Sequence, residues 1–92
     1  MPKVILREHI IVSDADLVKV QSELATHIAL TRAEAGCLVF KVRADAFNMN
    51  KFTVYEEFVN QDAFLQHQLR VKQSSWGQVT KDVQRHYQIT NQ

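Results

Sequence analysis

Apolar residues along this chain first form a Val- and Ile-rich run, then recur at every third or fourth position, then at every second. Each switch of period marks an element boundary. Val4–Val12 is rich in Val and Ile and reads as a strand. Ser13 follows as an N-cap, and Asp14 and Asp16 place negative charge at the positive end of a helix dipole. The helix is expected over Asp14–Thr31, with Leu17, Val20, Leu24 and Ile28 on its buried stripe. Gly36 suits a tight turn into a second strand, Cys37–Ala44, in which Leu38, Phe40 and Val42 alternate with Cys37, Val39, Lys41 and Arg43. The polar run Asp45–Asn50 reads as a hairpin loop. A third strand is expected over Phe52–Val59, with Phe52, Val54, Glu56 and Phe58 on one face and Thr53, Tyr55, Glu57 and Val59 on the other. Asn60 caps a second helix over Gln61–Val71. Its stripe carries Phe64, His67 and Val71, with Leu65 and Leu69 offset from it. Gln73–Thr80 is ambiguous, a further helical turn around Trp76 being one option, and Val83–Thr90 reads as the last strand.

The order β-α-β-β-α-β interleaves two split β-α-β units, the ferredoxin-like arrangement. It predicts one α+β domain over 1–92, with antiparallel strands in the order 4-1-3-2 and both helices on one sheet face. Val39, Tyr55 and Val59 then fall on the opposite face, and a sheet with apolar residues on both faces needs cover on both. A second copy of the chain supplies that cover, so a homodimer through the helix-free face is expected; the alternative is a wet outer face.

Composition narrows the classes. Ninety-two residues suit a single small domain. A formal charge of +1 argues against a dedicated nucleic-acid binder. Arg70, Lys72, Lys81 and Arg85 are diluted by glutamine and serine and read as a solvated surface. The single cysteine, Cys37, excludes an internal disulfide and fits a reducing compartment. Lys3, Arg7 and Glu8 interrupt the N-terminal apolar run, which is neither a signal peptide nor a membrane span. The expectation is a soluble cytoplasmic protein with no membrane partner.

The candidate chemistry centres on two residues. His67 lies on an apolar helix stripe, where a neutral imidazole can exchange a proton near physiological pH or simply sit buried with one hydrogen-bond partner. Glu56 lies in an apolar strand row, where a carboxylate is costly unless paired. Two readings stand for it: a proton acceptor with a raised pKa, or an ion pair with Arg7 or His9 on the first strand. Tyr55, Phe64 and Trp76 are candidate aromatic walls for a flat ligand, with ordinary core packing as the alternative. His86 and Tyr87 point to opposite faces, so only one of them can see a pocket; His9 and His27 read as structural or surface residues. The histidines show no metal-ligand spacing, and the two glycines form no phosphate loop, so neither a metal nor a cofactor is expected. A catalytic role for Cys37 has no support, since no histidine is near in sequence.

Three stretches carry a resemblance. Thr31–Phe40 reads TRAEAGCLVF, Lys51–Phe58 reads KFTVYEEF, and Ala63 is followed four positions later by His67. These resemble the T-R-x-E-P-G-C-L-x-F, R-F-x-x-Y-E-x-[WY] and A-x-x-x-H motifs of the antibiotic biosynthesis monooxygenase family. The resemblance implies a dimeric α+β barrel, with His67 and Glu56 bordering a substrate cavity. The chain departs from the pattern at Ala35 and Ala46, where prolines are usual, and after His67, where Gln68–Lys72 lacks the second imidazole of many members. The isomerase-like branch is therefore a poorer match, and so is the haem-degrading branch, whose Asn, Trp and His pattern does not map onto Trp76 and its surroundings.

The leading functional reading is a cofactor-independent monooxygenase acting on dioxygen and a small aromatic such as a quinol or polyphenol. His67 or Glu56 would be the base, with Tyr55, Phe64, Trp76, Arg7 and His86 as substrate contacts. The alternatives are an isomerase or small-metabolite enzyme using the same pair, and a non-enzymatic ligand-binding module. Fold alone does not choose among them.

Overall fold

The computed structural model describes residues 2–92. In chain order it contains β1 (Val4–Ile11), α1 (Asp14–Arg32), β2 (Cys37–Ala44), β3 (Lys51–Phe58), α2 (Gln61–Gln73), α3 (Ser75–Val79) and β4 (Gln84–Asn91). The strands form one antiparallel sheet in the order β2-β3-β1-β4. This is the expected 4-1-3-2 arrangement read from the other edge, and the fold is ferredoxin-like α+β. The ambiguous segment after α2 resolves into α3, whose N-cap Ser74 accepts a hydrogen bond from the Gly77 amide at 3.1 Å.

Cross-strand register fixes the core face. Val4 lies opposite Phe58, Leu6 opposite Glu56 and Ile10 opposite Phe52, so these side chains share one side of the sheet. Val20 of α1 and Trp76 of α3 pack with Ile10, Val12 and Phe52, while Phe64 of α2 packs with Val4, Leu6 and Phe58. All the helices thus cover one face, and the core divides into two apolar clusters. Glu56 lies on β3 between Phe52 and Phe58, which belong to different clusters.

Three local expectations need correction. The buried stripe of α1 is completed by His27 and Thr31, with Ile28 only half-buried, because the helix is rotated so that position 27 faces the sheet. A register shift between Cys37 and Val39 turns Leu38 out to 52% exposure and lets Cys37 lie opposite Phe58, on the core side. Ser13 occupies the N-cap position of α1 without capping it; its hydroxyl donates to Asp16 instead. The cap of α2 is as expected, with the Asn60 side chain accepting from the Ala63 amide at 2.8 Å.

The helix-free face is also more polar than its alternation suggested. The Arg7 guanidinium lies over the Tyr55 ring at 5.4 Å, and Tyr55 donates to Glu57, which pairs with Lys3 at 2.8 Å. His9 and His86 stack at 4.6 Å, directly opposite each other in the β1–β4 ladder. Apolar residues are therefore a minority there, and the need for an apolar cover is weaker than the sequence implied.

Close approach of backbone explains both glycines. A Cβ on Gly36 would lie 2.3 Å from the Ala63 Cβ, and one on Gly77 would lie 2.1 Å from the Val71 carbonyl oxygen. Gly36 is what lets the start of β2 sit against α2, the helix that carries His67. Gly36→Ala should therefore cost about 1–3 kcal/mol by overpacking, read as a lower urea midpoint at unchanged slope.

Candidate active site

The site begins with a carboxylate where the sheet offers little to pair it. Glu56 is 5% exposed and lines a cavity of about 50 Å³ together with Leu6, Phe40, Val54, His27 and His67. Burial pushes its pKa up to about 8, and the nearby Glu8 and Glu34 carboxylates add to the rise. At neutral pH Glu56 is mostly the protonated acid. Among the described residues its Oε1 atom has no hydrogen-bond partner, and it lies 3.4 Å from His67 Nε2.

His67 reaches this cavity because Asn60 caps α2 and the Phe64–His67 spacing faces the sheet. The ring sits against Phe58 at 4.8 Å and Phe40 at 6.1 Å. Glu34, in the turn between α1 and β2, approaches Nδ1 at 2.7 Å. With a carboxylate on Nδ1 the proton belongs there, which leaves the Nε2 lone pair directed at the cavity side. Burial lowers the His67 pKa, opposed by the hydrogen bond and charge of Glu34. The ring is therefore neutral and able to accept a proton.

Glu34 is held in turn. Arg70 Nη2 donates to Thr31 Oγ1 at 2.8 Å and lies 3.4 Å from Glu34 Oε2. Arg70 is thus a structural clamp rather than part of a solvated surface. His27 forms the far wall, stacked on Trp76 at 4.5 Å with only 4° between the planes and lying 6.3 Å from the His67 ring. Burial, with the charges of His67, Arg70 and Arg85, lowers its pKa to about 3, so it stays neutral. Its Nδ1 has no partner. α1 therefore supplies a second imidazole to the site, from a different element than the α2 motif would have used.

A wider groove of about 1070 Å³ adjoins the inner cavity, sharing Leu6, Glu8, Gln68, Val71 and Arg85 with it. At this junction Arg85 Nη1 lies 3.5 Å from Glu8, and Arg85 Nη2 donates to Thr80 Oγ1 at 3.1 Å. The inner cavity has room for water or dioxygen but not for an aromatic ring.

The residues singled out from sequence divide accordingly. His67, Glu56 and Trp76 line the inner cavity, and Phe64 lines the groove. Tyr55, Arg7 and His86 do not join them: strand alternation places all three on the helix-free face. Glu56 also has neither Arg7 nor His9 as a partner, for the same reason. Sequence reading passed over Glu8, His27, Glu34 and Arg85. Glu8 had the same signal as Glu56, a carboxylate alternating with Leu6 and Ile10, and His27 lay at helical spacing from Val20 and Thr31. Cys37 stays a thiol, since burial and the carboxylates of Glu34 and Glu56 raise its pKa. Among the described residues no cluster of three or more His, Cys, Asp or Glu could hold a metal ion, and no helix is long and apolar enough to cross a membrane.

These shifts set a pH dependence of stability. Glu56 has a folded pKa of about 8 against an ordinary 4.5, so its contribution is full below pH 4.5 and is lost as pH rises through 8. His27 has a folded pKa of about 3 against 6.5, so its contribution is full above pH 6.5 and is lost as pH falls through 3. Melting curves should show Glu56→Gln flattening the alkaline loss, and His27→Phe, which keeps an aromatic on Trp76, flattening the acid loss.

Residues 13–72 match the antibiotic biosynthesis monooxygenase family. No curated protein matches the chain in sequence. Solved structures share its fold. A Shewanella oneidensis protein superposes with a TM-score of 0.79 at 21% identity, over 99% of this chain and 91% of that one. A candidate antibiotic biosynthesis monooxygenase of Nitrosomonas europaea gives 0.79 at 15%, over 95% of each chain. Another of Deinococcus radiodurans gives 0.71 at 22%, over 97% of this chain and 89% of that one. The family match spans Glu34, Glu56 and His67 and joins the fold to the site built around them: the chain belongs to the antibiotic biosynthesis monooxygenase family.

Proposed function

We propose that the chain is a monooxygenase of quinols, polyphenols or similar electron-rich aromatics, and that it works without a metal or flavin. The observation that carries this reading is the buried row Glu34–His67–Glu56 at the closed end of a groove. Removing a phenolic proton turns a quinol into an anion able to pass an electron to dioxygen directly. Quinol and dioxygen then give a hydroxyquinone and water. One oxygen atom enters the ring, the other leaves as water, and the quinol supplies the electrons.

In this reading His67 takes the phenolic proton at Nε2, with Glu34 stabilising the imidazolium that forms. Glu56, a neutral acid below pH 8, donates a proton to the oxygen being reduced. The aromatic body lies in the groove near Phe64 while its hydroxyl reaches the inner cavity, whose wall includes Trp76. The candidate monooxygenases among the fold relatives are consistent with such chemistry. A second reading draws on the same acid and base standing together: proton shuttling in the isomerisation of a small ketone, with no oxygen consumed.

The same proposal includes a homodimer through the helix-free face. Its support is the sheet-to-sheet pairing that the family resemblance implies; the Arg7–Tyr55–Glu57 and His9–His86 side chains would make that contact polar rather than apolar. Sedimentation at micromolar concentration should show a two-fold assembly burying more than about 1,000 Å²; a strictly monomeric chain would remove this part.

An oxygen electrode with a panel of reduced quinols and anthrone-like phenols should register uptake, unaltered by chelator. His67→Ala should slow turnover by ~10²–10⁴-fold. The profile of kcat/KM should rise as His67 loses its proton below pH 6.5 and fall as Glu56 ionises near 8. Glu56→Gln should remove the alkaline fall. Full activity in both variants would place the chemistry elsewhere, and turnover of a ketone without oxygen uptake would favour the isomerase.

A further inference from the structure

The groove outside the inner cavity has two kinds of wall. Leu65 and Leu69 on α2 and Tyr87 and Ile89 on β4 line it with apolar surface, although each is between 44% and 64% exposed. Large apolar side chains gathered in one concave, water-facing patch mark a binding surface. The same groove is lined by Lys72, Lys81 and Arg85, against a single carboxylate, Glu8. Arg85 is already engaged with Glu8 at 3.5 Å, whereas neither lysine makes an ion pair among the described residues.

The charges are also arranged along the groove. Glu8 and Arg85 line both the inner cavity and the groove, while Lys72 and Lys81 line the groove alone. Positive charge without a partner therefore sits away from the proton-transfer end. A second copy of this chain is a poor occupant, since lysine is depleted from the centres of protein interfaces and would be desolvated there without a partner.

We propose that the groove binds an amphipathic organic anion. Its apolar or aromatic body lies on Leu65, Leu69, Tyr87 and Ile89. Its anionic group, a carboxylate in the simplest case, is held by Lys72 and Lys81, and its other end reaches past Arg85 toward His67 and Glu56. The assignment of the inner end as the reacting one rests on the proton-transfer reading above; the anion preference does not.

The test compares 2-naphthoate with its neutral methyl ester by fluorescence titration at low ionic strength. The naphthoate should bind about tenfold more tightly, the scale expected of two solvent-exposed ion pairs. The combined Lys72→Ala and Lys81→Ala variant should bring the two probes level without changing ester affinity; both residues are exposed, so melting should be unchanged. Leu69→Asp should weaken both probes. Equal affinities in the unmodified protein, no measurable binding of either probe, or a preference that survives loss of both lysines would overturn the proposal. So would a Leu69→Asp variant that changes the oligomeric state while naphthoate binding is unchanged, since the groove would then belong to a second copy. Oxygen uptake reads the other proposal separately. Anion preference without turnover removes the oxygenase and leaves this groove assignment standing, and turnover without anion preference does the reverse.

Discussion

Burying one carboxyl group in the middle of an apolar sheet face is the constraint from which the site follows. Glu56 has Phe58 on one side, Val54 on the other and no cation within ion-pair distance, so its charged form is costly. Relief comes through protonation, which Glu8 and Glu34 reinforce by their own negative charge. The neutral carboxyl then faces His67 Nε2 at 3.4 Å. That atom can accept only while the proton sits on Nδ1, and Glu34 keeps it there at 2.7 Å. Arg70 and Thr31 hold Glu34 in place. Each group is positioned by the need of the one before it, and α2, β3 and the α1–β2 turn are tied together by the result.

The same polar row interrupts the core. Cluster packing runs from Ile10 to Trp76 on one side and from Val4 to Phe64 on the other, with Glu56 and His67 between them. A fold optimised for stability alone would close this gap with apolar side chains, because replacing buried polar groups by well-packed hydrophobics is often neutral or stabilising. Among the described residues, atoms on Glu56 and His27 beside a cavity of about 50 Å³ are instead left without hydrogen-bond partners.

How much of this could be read from residues alone depends on the kind of signal. Strand alternation and helix periodicity placed the four strands and the two longer helices within a few residues, because apolar side chains must face one core, whereas the short α3 stayed ambiguous. Glu56 and His67 were visible as polar intrusions into otherwise apolar rows. Glu34 was not, since it lies in a turn where no period exists and its value comes from meeting a histidine 33 positions away. His27 was missed because an apolar stripe scored on hydrophobicity alone runs to Ile28 rather than to the imidazole beside it. Tyr55, Arg7 and His86 were grouped with the pocket on chemistry, although strand parity already put Tyr55 on the face opposite Glu56. The direction of each side chain, not its reactivity, decided membership of the site.

The two chambers also differ in how far family membership reaches them. His27, Glu34, Glu56 and His67 all fall within the matched residues 13–72, so these four polar groups lie in the part of the chain that the family relation describes. Of the groove's walls, Phe64, Leu65, Leu69 and Lys72 on α2 also lie within the match, whereas Leu6, Glu8, Lys81, Arg85, Tyr87 and Ile89 lie outside it, on β1, on β4 and in the segment before β4. β4 is an edge strand, bonded to β1 on one side only, and α3 is a single short turn held by Gly77 against the end of α2. Walls built from such elements can change size and charge while the sheet centre, with Glu56, stays fixed. The inner cavity, anchored on the sheet centre, and the groove walls on β4 and α3 are thus physically separable parts of the fold.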